Sequence, residues 1–138
     1  MSVRSPGLFV LMATQITIAD TYTSDWSDNF TGCEHLSVQF RLEYGSGGST
    51  CSVFLQSSID DGETAYDIGS FQFTTGATRL AVISNAIAQG SAFITPGDAA
   101  LTNNTFLHGL VGPRLRAKAV VTGTYAGSTV VSVRVNAR

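Results

Sequence analysis

The sequence is poor in charge and in lysine, and both shortages exclude classes of protein. Only 13% of its 138 residues are charged, and Lys118 is the single lysine. Helical proteins are rich in Glu, Lys, Ala and Leu. A disordered chain combines high charge with few apolar residues, whereas 43% of this chain is apolar. The length is close to the commonest domain size, so we expect one folded domain built mainly from strands.

Long apolar runs and cysteines are also scarce. No segment approaches the roughly 20 apolar residues of a membrane span, so we expect a soluble protein with no membrane partner. Residues 8–13 are apolar, but the run is short and predicts a strand rather than a signal peptide. Cys33 and Cys51 are too few for a zinc site, which needs four ligands at close spacing. A single disulfide between them remains open.

Alternating apolar and polar residues predict the clearest strand, at 36–44. The alternation places the apolar side chains on one face of a pleated strand and the polar ones on the other. Glycines in 45–49 predict a chain reversal, after which 51–56 returns as a second strand. The turn-forming residues of 57–63 predict another hairpin, which leads into 66–73.

The remaining segments complete an all-β prediction. Residues 78–87 are apolar and β-branched and predict a strand, with a short helix as the alternative, and the Gly and Pro residues of 89–113 predict long loops. A last hairpin is predicted to turn at 122–127. We therefore expect an antiparallel β-sandwich or jelly roll of about eight strands over residues 8–138, after an N-terminal arm at 1–7. The predicted strands are 8–15, 16–22, 36–44, 51–56, 66–73, 78–87, 105–110, 114–121 and 128–135.

No combination of residues indicates catalysis. The two histidines, His35 and His108, each stand without a second ligand nearby, and no nucleophile elbow, phosphate-binding loop or dinucleotide fingerprint is present. We predict that the protein is not an enzyme and needs no cofactor. An acidic turn at 58–64 offers oxygen ligands for calcium, but Asp and Gly are also what a tight turn needs. Its Ser-x-Asp-x-Gly-x-Thr pattern resembles the Asp-box turn, and we favour a structural turn with no metal.

Basic residues are concentrated at the end of the chain, which carries no acid after Asp98. Alternation predicts that Arg114, Arg116 and Lys118 share one face of a strand. With Arg134 they are our predicted partner-binding residues; the alternative is a solvated face that balances acids folded nearby. No aromatic residues are interleaved with them to stack on bases, and the net charge is −2, so we expect no nucleic-acid partner.

Three segments resemble small β-rich virion proteins of tailed bacteriophages. They are the run 53–64 (VFLQSSIDDGET) continuing to Asp67, Ile68 and Phe71, the PRLR sequence at 113–116, and TGTYAG at 122–127. The resemblance covers the last two-thirds of the chain and lies in hairpins rather than in an active site. It implies capsid decoration or cement proteins, or adaptor and tail components, and no catalytic residues.

The expected function is therefore structural. We expect a capsid decoration or cement protein on the virion surface, made in the host cytoplasm, that binds neighbouring major capsid subunits and forms a homo-oligomer, with a trimer favoured. One alternative is a tail tube, tail terminator or head–tail connector subunit. A second is a carbohydrate-binding module, for which Trp26, Tyr22, Tyr66 and Tyr125 are the candidate aromatic contacts.

Overall fold

The computed structural model describes residues 7–28, 30–76, 79–86, 97–107 and 111–138, and in these residues it has ten strands and no helix. The all-β prediction is therefore confirmed. None of the described residues belongs to a helix that could cross a bilayer. The strands are β1 (Gly7–Gln15), β2 (Thr21–Thr23), β3 (His35–Glu43), β4 (Ser46–Gly47), β5 (Thr50–Ser58), β6 (Tyr66–Phe73), β7 (Arg79–Ala86), β8 (Arg114–Thr122), β9 (Tyr125–Ala126) and β10 (Val130–Ala137).

Two four-stranded antiparallel sheets form the body of the protein. Sheet A has the order β1-β10-β3-β7, and sheet B has the order β2-β8-β5-β6. Strands β3 and β8 alternate between buried and more exposed residues along most of their length, as the sequence predicted. Their apolar side chains point between the sheets, where they form one hydrophobic core. Burial of this shared interior is the main force that holds the two sheets together.

The connectivity is that of a jelly roll. With the two-residue strands β4 and β9 set aside, the first long strand pairs with the last (β1 with β10), and the second with the second-last (β2 with β8). Strand β3 likewise pairs with β7, and β5 with β6. This nested pairing is what results when a long antiparallel ribbon is rolled into two sheets, so of the two predicted architectures the structure has the jelly roll.

Two of the predicted hairpins are wrong. Strands β3 and β5 do not pair, because β3 lies in sheet A and β5 in sheet B; the same is true of β8 and β10. The glycine-rich segments cross from one sheet to the other, and Gly45 lies so close to the carbonyl of Gly127 that no side chain fits there. Only the predicted hairpin between β5 and β6 is confirmed.

Connections at the two ends of the sandwich are tied together by specific contacts. At the first end, Ile16 N–H donates to the carbonyl of Thr129 and the Tyr125 hydroxyl donates to the carbonyl of Thr74. At the second end, the 59–65 turn lies against Trp26 and near Arg114. The two ends therefore carry different loops, and the 59–65 turn belongs to the second.

The predicted boundaries need two corrections. Gly7 pairs with Ala137 in β1, so it belongs to sheet A and not to the predicted arm, whose residues 1–6 lie outside the described part of the chain. The predicted strand at 16–22 is replaced by the shorter β2. In the predicted loop region, 97–107 is irregular and touches β6 through a bridge between Phe106 and Gly69; the predicted strand 105–110 falls partly outside the described residues.

Candidate functional site

The predicted basic stripe lies on the outer face of sheet B. Arg114, Arg116 and Lys118 alternate along β8 with Leu115 and Ala117, which are buried in the core. The period of two that places apolar side chains inside therefore places the three cations together outside. The prediction that these three cations share one face of a strand is confirmed. The role of the stripe in partner binding stays a prediction.

Acidic groups from two loops cover the stripe. Asp98 lies 2.6 Å from the Lys118 ammonium and 3.9 Å from the Arg116 guanidinium, and Asp61 lies 3.6 Å from Arg114. The hydrogen bond from Lys118 lowers the pKa of Asp98. Every cation of the stripe has a carboxylate beside it, which fits the alternative of cations balanced by acids folded nearby better than a bare cationic surface.

A buried polar network beside the stripe, on the same face of sheet B, was not predicted. The Gln56 side chain is fully buried on sheet B, and its carbonyl accepts a hydrogen bond from Arg116 Nε at 2.8 Å. Its amide donates to Asp67 at 2.8 Å and to Asp98 at 2.7 Å. The guanidinium of Arg116 also stands over the ring of Trp26, with Cζ 4.5 Å from the centroid. The network holds Arg116 in one place.

Asp67 fixes the loop that carries Asp98. Its carboxylate is buried and accepts hydrogen bonds from the backbone N–H groups of Ala99, Ala100 and Leu101 at 2.8–3.0 Å. Nothing in the local pattern identified this role, because a lone Asp at the start of a strand is common. The observation that could have indicated this role is the position of Asp67 opposite Gln56, which is known only once the register of β5 and β6 is known.

Arg134 lies apart from the other three predicted partner-binding residues. It is on the outer face of sheet A, between Val10 of β1 and Gln39 of β3. The predicted set is thus split between the two faces of the sandwich, because β8 and β10 are in different sheets. In the described part of the chain, no acidic side chain forms an ion pair with Arg134.

Exposed aliphatic side chains surround Arg134. Leu8 is 68% exposed and Val10 is 55% exposed on one edge strand, and Val82 is 65% exposed on the other. A shallow depression of about 220 Å³ lies between the two edges, with Gln39 and Arg134 among its lining residues. The face is therefore mixed, with apolar borders and a cationic centre.

A second cleft, also largely apolar, opens where the edges of β6 and β7 face each other. It measures about 340 Å³, and its lining includes Phe71, Phe106 and Ile83. Ile83 is opposite the buried Val38 and shares its inward orientation, yet 37% of its surface is exposed. Among the described strands, β7 pairs only with β3, so its other edge has no described strand partner.

The acidic turn is held by its own side chains. Asp60 accepts hydrogen bonds from the Ser58 hydroxyl and from the N–H of Thr64, both at 2.8 Å, and these bonds lower its pKa. Gly62, with a φ of 88°, donates its N–H to the Ser58 hydroxyl. Among the described residues, no group of three His, Cys, Asp or Glu side chains could hold a metal ion. The hydrogen bonds within the turn account for its Ser58, Asp60 and Gly62.

The remaining candidate residues are also located. His35 begins β3 at the surface, whereas His108 lies outside the described residues. Cys33 and Cys51 are free thiols, and burial raises the pKa of both, that of Cys51 to about 12. Of the four aromatic residues considered for carbohydrate binding, Tyr125 is buried in the core.

No protein-family model matches the chain, and no curated protein or solved structure shows significant similarity to it.

Proposed function

We propose that this protein is a structural component of a tailed-bacteriophage virion, a capsid decoration or cement protein that binds across neighbouring subunits of the shell. Support comes from the resemblance of its turns to those of small virion proteins and from the jelly-roll body, an architecture that viral capsid proteins use. A fold alone does not define a function. The observation on which the proposal chiefly depends is the apolar cleft beside the β7 edge.

The cleft has the features that accept an added strand. An edge strand presents unpaired N–H and C=O groups, which an extended segment of another protein can pair with, and adjacent pockets take its alternate side chains. Here Phe71, Ile83 and Phe106 supply the apolar pocket next to the edge of β7. The proposed occupant is an extended, partly apolar segment of a shell subunit.

Such a contact stabilises a shell through repetition. A small rigid body that touches several subunits converts each further contact into an intramolecular event, so individually weak contacts give a strong hold. The shared core makes the two sheets of this protein one such body. The energy needed to separate neighbouring subunits then rises with every copy bound.

The first experiment asks where the protein is. Purified virions separated into heads and tails should contain it in the head fraction, at a copy number comparable to that of the shell subunit. Recovery from tails alone would transfer the assignment to the tail or connector alternative. Absence from virions would overturn the proposal.

The second experiment asks how the protein binds. Shells assembled without the protein should bind it in a cosedimentation assay, and Ile83→Asp should abolish binding because it puts a charge into the apolar cleft. The matched control is Ile18→Asp, which alters an exposed isoleucine in the β1–β2 loop. Both variants must keep the wild-type melting temperature within a few degrees. Equal binding by the two variants would exclude the cleft as the contact.

A further inference from the structure

We propose that this chain binds a second copy of itself head to tail, with the face around Arg134 of one copy receiving the 59–63 turn of the next. The proposal does not rest on the virion assignment, because self-association of the purified chain can be measured whether or not it binds a shell.

The receiving surface is the outer face of sheet A. Its second cation, Arg41, pairs with Glu43 at 3.5 Å, whereas Arg134 has no acidic partner in the described part of the chain. Leu8, Val10 and Val82 border the face and are more than half exposed. Among its described side chains the surface thus presents one uncompensated positive charge between aliphatic side chains, which fits a carboxylate flanked by an apolar residue.

The turn at 59–63 has the complementary chemistry. Ile59 is 73% exposed, and Glu63 is exposed, with no ion pair to any described residue. Asp61 adds a second exposed carboxylate, 3.6 Å from Arg114. An apolar side chain and two carboxylates within five residues match the aliphatic borders and cationic centre of the sheet A face.

The turn is also rigid, so its binding should carry a low entropic cost. The hydrogen bonds from Gly62 N–H to the Ser58 hydroxyl and from Thr64 N–H to Asp60 fix its backbone. Its hairpin arms, β5 and β6, are two of the four strands of sheet B. Little conformational freedom is therefore lost when the turn docks, which lowers the entropic cost of association.

The positions of the two surfaces determine the type of assembly. The turn lies at the second end of the sandwich beside sheet B, while the receiving face is the outside of sheet A, so each surface is available to a different neighbour. Two different surfaces in contact make a heterologous interface, which generates a ring when the rotation closes. Three copies are the smallest ring in which each copy binds two different neighbours.

Two copies of the chain should bind each other weakly. Four strands spaced about 4.8 Å apart and eight residues long at about 3.3 Å per residue present roughly 500 Å². A stable interface buries about 800 Å² on each partner. We therefore expect association that depends on concentration, with monomer at about 1 μM and oligomer at about 1 mM.

Sedimentation equilibrium of the full chain tests the pairing through charge reversal. Arg134→Glu and Glu63→Arg should each raise the dissociation constant at least about tenfold, because each places like charges together. The double variant should restore the wild-type value to within about threefold, because it exchanges the two charges. Asp20→Arg is the matched control, since it changes an exposed acid at the first end of the sandwich and should leave association unchanged. Arg134 and Glu63 both lie outside the core, so their variants should fold.

Each outcome decides for or against the pairing. Rescue in the double variant establishes that the two residues meet. A wild-type chain that stays monomeric at about 1 mM overturns the proposal. The proposal is also overturned if Arg134→Glu weakens association and Glu63→Arg has no effect, because the contact would then be between two identical sheet A faces.

Discussion

The carboxylate of Asp67 should be the most sensitive polar site in the protein. One oxygen accepts from the Gln56 amide and Ala99 N–H, and the other from the N–H groups of Ala100 and Leu101. In Asp67→Asn one oxygen becomes an NH₂ group that faces two donors. At least two hydrogen bonds to a charged, buried acceptor are then lost whichever way the amide is turned.

The expected cost follows from these bonds. Hydrogen bonds to charged groups contribute about 1.5–3 kcal/mol each, so two of them amount to roughly 3–6 kcal/mol before relaxation. Partial release of the 97–101 loop to water reduces this to about 3–5 kcal/mol. For a domain of this length the unfolding entropy is about 0.29 kcal/mol per kelvin, so the melting temperature should fall by about 10–17 °C.

Urea denaturation with an unchanged slope measures this free energy, and hydrogen exchange at residues 99–101 reports release of the loop. Asp98→Asn is the matched control: Asp98 also accepts from Gln56, but its side chain is 51% exposed, so we expect a loss of about 1 kcal/mol or less. If Asp67→Asn costs no more than Asp98→Asn, the buried network does not stabilise the fold as argued.

Three further predictions concern the core. Because burial raises the pKa of Cys51 to about 12, its thiol should not react with a disulfide reagent at pH 8 until the protein unfolds; rapid native reaction of both cysteines would contradict this burial. Burial likewise raises the pKa of Tyr125 to about 12. Because its phenol ionises more readily in the unfolded chain, the free energy of unfolding should fall as the pH rises from about 10 to 12. In urea titrations, Tyr125→Phe should reduce that fall. Gly48→Ala should destabilise the fold by about 2–3 kcal/mol, because Gly48 has a φ of 77° and a Cβ there would overlap the Tyr125 ring; a change within about 0.5 kcal/mol would show that the ring can move aside.

Whether a feature could be predicted from the sequence depends on how far apart in the chain the residues that define it lie. Strand positions and buried faces were predictable because alternation is local: Leu115 and Ala117 point inward for the same reason that Arg114 and Arg116 point outward. The 58–64 turn was also readable, since its hydrogen bonds join residues four or fewer positions apart. Apart from the β5–β6 hairpin, strand partners were not predictable, because a glycine-rich connection has the same sequence pattern whether it closes a hairpin or crosses between sheets.

The sequence alone thus determined that this chain is an all-β sandwich with a basic stripe on one strand. Only the tertiary structure decided the rest: that Leu8 lies opposite Asn136 in a jelly roll, that Arg134 is separated from the stripe, and that Asp67 and Gln56 meet beside it. Leu8 and Asn136 are far apart in the chain, and the Gln56–Asp67 contact depends on the register of the β5–β6 hairpin. Both contacts depend on which strands become neighbours, and a pattern that repeats every two residues carries no information about the neighbour.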